Sequence, residues 1–95
     1  MIMKIHEVNG EVIVALCDDK LLGKELGTFK VGRFYNGKKT SAEEVLATLK
    51  SATIINAIGK ETVEFLIQNN FIDRNSITYI ENEPHAQMVK VWTNQ

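Results

Sequence analysis

Cysteine is almost missing from this chain of 95 residues: Cys17 stands alone, so no internal disulfide can form. The two histidines, His6 and His85, lie far apart with no second cysteine beside either. That leaves no zinc-type spacing, and neither a metal nor a cofactor is expected. No apolar run approaches the roughly 20 residues of a membrane helix. The start, Met1 to Glu7, alternates in polarity and carries charge too early for a secretory leader. A reducing, cytoplasmic setting without membrane contact is the expectation. Proline occurs once, at Pro84, and no low-complexity tract or repeat is found. Also absent are a glycine-rich nucleotide loop, a metal-binding helix motif and a nucleophile elbow.

What is present suits one core. Hydrophobic residues make up 44% of the chain, and halves of it would be too small to bury enough apolar surface alone. One domain over residues 1–95 is therefore expected. Ile2 to Val8 and Glu11 to Cys17 are β-rich runs joined by Asn9-Gly10, a pair suited to a type I′ hairpin turn. Val12, Val14 and Leu16 alternate with Ile13, Ala15 and Cys17, so both faces of the second run are apolar. That pattern predicts a strand covered on both sides. Asp18 can start a short turn that Gly23 ends. Thr28 to Tyr35 reads as a strand with a bulge at Gly32, and Asn36-Gly37 as a second reversal.

Ser41-Ala42-Glu43-Glu44 is a capping-box pattern, and Val45, Leu46 and Leu49 continue it as a helix of about three turns. Ala52 to Ile58 reads as a buried strand. Lys60 to Asn69 restarts helical periodicity, with Asn70 closing it in the left-handed conformation. Ile77 to Ile80 and Gln87 to Trp92 complete the strands. The order implies a layered α+β domain, a mixed sheet of about five to six strands with two helices packed on it. If the strands flanking the second helix run parallel, that helix makes a right-handed crossover.

Several segments together resemble the archaeal family catalogued as domain of unknown function 424. They are Ala15-Leu16-Cys17-Asp18, Leu21-Leu22-Gly23-Lys24, Ser41 to Leu46, Ala52 to Gly59 and Pro84-His85-Ala86-Gln87. The resemblance spans nearly the whole chain in order. It implies an archaeal, cytoplasmic source and no activity. Asn70 stands where glycine would be expected and serves the same backbone role.

Net charge is −1, but its distribution is uneven. Lys20, Lys24, Lys30, Arg33, Lys38 and Lys39 fall between residues 20 and 40 against one acid, Glu25. Interleaved with Phe29, Phe34 and Tyr35, this stretch is the candidate for contacting RNA or a ribonucleoprotein, because lysines bind phosphates and exposed rings stack on bases. Solvated lysines guarding a strand edge, with the rings in the core, are the competing account.

A second cluster is polar. His85 and Gln87 fall on one face of a strand, and Asn56 sits within an apolar run where its amide requires a partner. Either a ligand or the protein's own backbone could satisfy them. Gly59 and Lys60 open a helix whose free amides could hold a phosphate. A lone glycine before a helix more often marks a plain turn, and the weak similarity of this segment to half of a helix-hairpin-helix motif lacks the first glycine. Catalysis would need Cys17 with His85 as base and Asp18 as orienting carboxylate. The same Cys17 also reads as a small core residue. An exposed Tyr79, Met88 or Trp92 would instead mark a protein partner.

Overall fold

The computed structural model describes residues 1–90. Strands β1 (Ile2–Val8) and β2 (Glu11–Cys17) form an antiparallel hairpin paired from Ile2↔Cys17 to Val8↔Glu11. Asn9 and Gly10 take φ of 51° and 81°, the two positive angles that a type I′ turn demands. After a 3-10 turn at Asp19–Leu21, Gly23 reverses the chain at φ +86°. Two short strands, β3 (Glu25–Leu26) and β4 (Phe29–Lys30), make a separate ribbon.

The expected strand from Thr28 to Tyr35 is thus only two residues long. Beyond it the backbone winds into a 3-10 turn at Arg33–Tyr35, which carries Val31 and Tyr35 into one core. The phase change in the apolar pattern records that winding, not a bulge. At Asn36, φ −79° and ψ 71° with a Gly37 N–H to Tyr35 carbonyl bond of 2.8 Å form an inverse γ-turn. Gly37 is required there because a Cβ would overlap the Met3 carbonyl. Strand β5 (Lys38–Lys39), which the sequence did not reveal, then pairs with Ile2 and Met3.

Helix α1 (Ala42–Leu49) is capped as expected, the Ser41 Oγ accepting the Glu44 N–H at 3.2 Å, and it runs just over two turns. Helix α2 (Lys60–Gln68) follows β6 (Ile54–Ile58). It closes with Asn70 at φ 63° while Phe71 and Asn70 donate to the Leu66 and Ile67 carbonyls, a Schellman arrangement.

Strands β7 (Thr78–Ile80) and β8 (Glu83–Val89) meet at a tight Glu81-Asn82 turn in which both residues have positive φ. Strand β8 therefore starts four residues before the expected Gln87. Pro84 is tolerated inside this interior strand for a local reason. Its carbonyl accepts from Gly59, but the Gly59 carbonyl is already taken by the Val63 N–H of α2, so no acceptor awaits the missing proline N–H.

The six-stranded order is β5-β1-β2-β6-β8-β7, with β2 and β6 parallel and every other neighbour antiparallel. Strands β6 and β7 point the same way with β8 between them, so α2 is a crossover. One face carries Val14, Leu16, Ile55, Ala57 and Ala86 against Val45 and Leu49 of α1 and Val63 and Leu66 of α2. The other carries Ile2, Ala15, Cys17 and Ile58 against Leu21, Val31 and Tyr35 of the irregular segment. The two apolar faces of β2 are both covered, as its pattern predicts. Among the described residues no helix is long and apolar enough to cross a membrane.

Candidate functional site

Register aligns one row of residues across all six strands on the face covered by the irregular segment: Lys39, Ile2, Cys17, Ile58, His85 and Thr78. Cys17 and His85 thus share a face, but Ile58 stands between them. Two strand spacings separate their backbones by roughly 10 Å. The thiol is fully buried, and burial first, then the Asp18 and Asp19 charges, push it up to about 11. Cys17 and His85 are not brought together as nucleophile and base.

Asp18 does something the sequence did not suggest. Only 2% exposed at the end of β2, it turns its carboxylate onto the start of α2. Oδ1 accepts the Thr62 N–H at 2.8 Å and the Thr62 hydroxyl at 2.7 Å, and Oδ2 accepts the Glu61 N–H at 3.2 Å. Gly59 makes room at φ +114°, where a Cβ would run into that carboxylate. The first-turn amides considered for a phosphate therefore hold an internal anion, which complements the positive end of the helix. Lys60 stays exposed at the rim. An aspartate 44 positions away leaves no local signal; only the buried acid after an apolar strand hints at it.

His85, Gln87, Thr78 and Ser76 line a shallow hollow of about 340 Å³. His85 is half-buried and meets Phe29 edge-on at 6.0 Å, and burial lowers its pKa. Asn56 sits half-buried on the same face, directly between Ala15 and Gln87. The polar trio Asn56, His85 and Gln87 is thus assembled side by side. Tyr79 is exposed, Met88 packs against the helix-side core, and Trp92 lies outside the described residues.

The basic residues divide. Lys39 sits 3.3 Å from Asp19, whose carboxyl is held below its ordinary range chiefly by the N-terminal ammonium at 3.0 Å and also by Lys39. Lys30 faces Glu25 across the β3–β4 ribbon. Lys24, Lys30, Arg33 and Lys38 are exposed and have no carboxylate within 4.0 Å among the described residues. Lys30, Arg33 and Asn36 line a hollow of about 270 Å³. Lys4, Lys38, Lys39 and the same Asn36 line another of about 560 Å³, where Glu44 is the single acid. Because Asn36 belongs to both, the two hollows adjoin at the edge of the sheet, Lys38 lying opposite Met3 on the helix side and Lys30 and Arg33 in the segment that covers the other face.

Beside those hollows the three rings of the segment part company. Tyr35 is buried and Phe29 half-buried, while Phe34 keeps 38% of its surface in solvent. Phe34 stacks on His6 at 4.7 Å with an 8° angle between planes, and stands perpendicular to Tyr35 at 5.1 Å. The His6 Nε2–H donates to the Phe34 carbonyl at 2.9 Å. Lys4 and His6 were missed in the sequence because they lie outside the basic run. Their place on one face of β1 follows from alternation, but the partner that gives them meaning comes from an irregular turn.

A family model described as protein of unknown function (DUF424) matches residues 6–91. A crystal structure of an uncharacterized conserved protein from Methanopyrus kandleri has the same fold, with a TM-score of 0.80 and 24% identity over 99% of this chain and 96% of that one. No curated protein matches. The match over residues 6–91, carried by a fold shared from end to end, makes this chain a member of the DUF424 family.

Proposed function

We propose that this domain is a non-catalytic binding module that contacts RNA or a ribonucleoprotein in the cytoplasm of an archaeal cell. One observation carries the reading: Lys4, Lys30, Arg33 and Lys38 line two hollows that adjoin at Asn36, with Glu44 the only carboxylate lining either among the described residues. Cations so placed raise the local concentration of a polyanion even though the whole chain is nearly neutral. The separation of Cys17 from His85, and the engagement of Asp18 with α2, favour binding over catalysis.

Titration of single-stranded and structured RNA at several salt concentrations tests it. Four phosphate contacts predict a slope of log affinity against log salt of roughly −3 for a single strand. Replacing Lys30→Glu with Lys38→Glu should flatten that slope and weaken binding strongly. No binding at low salt, or indifference to the double variant, overturns the proposal.

A further inference from the structure

We infer that the ligand of these basic hollows is unpaired RNA, one base of which stacks on the ring of Phe34. The inference rests on the RNA reading above and adds the substrate class. Phe34 directly follows Arg33, and the His6 beneath it shares a face of β1 with Lys4. The exposed ring thus follows one cation in its turn and stacks on a residue two places along β1 from another. A protein partner with an apolar anchor would suit the ring but not those charges; a nucleotide suits both.

The ring is also held still. His6 covers one side, Tyr35 stands against it at 84°, and the imidazole is tied to the Phe34 carbonyl, so binding a base orders nothing further. The 38% of Phe34 left in solvent is the part not covered by these neighbours. A base within a duplex is already stacked on both sides and gains nothing from the platform. An unpaired base gains a π-face and its own phosphate a cation.

The experiment compares a short single-stranded RNA carrying 2-aminopurine with the blunt duplex of the same sequence, using the full chain. Fluorescence of the single strand should be quenched on binding, and the duplex should bind more weakly. Phe34→Leu keeps apolar bulk without a π-face and should weaken single-strand binding by about ten-fold or more, while Phe34→Trp should retain it. Circular dichroism and the unchanged salt slope of each variant report that the fold and cations are intact. Equal affinity for duplex and single strand, or wild-type binding by Phe34→Leu, overturns the stacking platform and leaves the RNA reading standing. Failure of every RNA to bind at low salt overturns both.

Discussion

The two faces of the sheet are covered in different ways. On the helix side, aliphatic residues from β2, β6 and β8 meet the stripes of α1 and α2, and the buried Asp18 carboxylate is taken up by the first turn of α2. On the other side the cover is an irregular segment of short strands and 3-10 turns. Here lie Cys17, Tyr35 and His85, the groups whose pKa values burial displaces. A regular helix satisfies its own backbone and needs only apolar contact beneath it. An irregular cover leaves rings, hydroxyls and charges at its rim, and those are the parts that can meet a ligand. The groups whose titration burial displaces therefore belong to the second face.

The largest effect should come from the residue that joins the two sides. Gly59→Ala adds strain at φ +114° and displaces the Asp18 carboxylate, and should cost about 4 kcal/mol in urea unfolding. Within the helix-side core, Leu16→Ala should cost about 3 kcal/mol by emptying a fully buried site, whereas Leu16→Met should cost under about 1.5 kcal/mol. That tolerance of volume-preserving change is the mark of an aliphatic face; a large loss with Leu16→Met would break the contrast. Asp18→Asn keeps the shape but loses the charge and one acceptor, and about 2 kcal/mol is expected.

Smaller effects follow pH. The Cys17 thiol rises from 9.0 to about 11 on folding, so above pH 9 the unfolded chain releases a proton that the folded one keeps. Stability should fall by about 2 kcal/mol as pH climbs from 9 to 11, and Tyr35, raised from 10.0 to about 12, extends the loss upward. Cys17→Ala should remove the first part of that slope. At the acid end the sign reverses. Burial lowers His85 below its ordinary 6.5, so the unfolded chain binds a proton first and stability declines as pH drops through 6.5. His85→Leu should abolish this decline, and denaturant midpoints measured across pH would show whether it does.

Where neighbours in sequence decide the conformation, the fold was legible. Asn9-Gly10, the Ser41 cap, Asn70 at the end of α2 and the two-sided pattern of β2 are each local chemistry. The errors lie where tertiary contact overrides pattern. Phe29, Val31 and Tyr35 look like a strand because all three reach one core, yet the backbone between them coils to deliver them. The last strand begins at Glu83 and not at Gln87, and the tolerance of Pro84 inside it depends on a helix that starts at Lys60. For the candidate site, the lysines were visible by composition. That Lys39 alone of them meets a carboxylate among the described residues was not, and neither was the arrival of Lys4 and His6 from another strand.

The carboxylate at position 18 behaves as a rivet. Lifting the first turn of α2 away from it would break three hydrogen bonds to one carboxylate together, so that turn resists fraying by itself. The end of β2 and the beginning of α2 must come apart in one event. The Thr62 amide should then exchange with deuterium only when the whole molecule opens, while the exposed end of α2 at Gln68 loses protection far sooner.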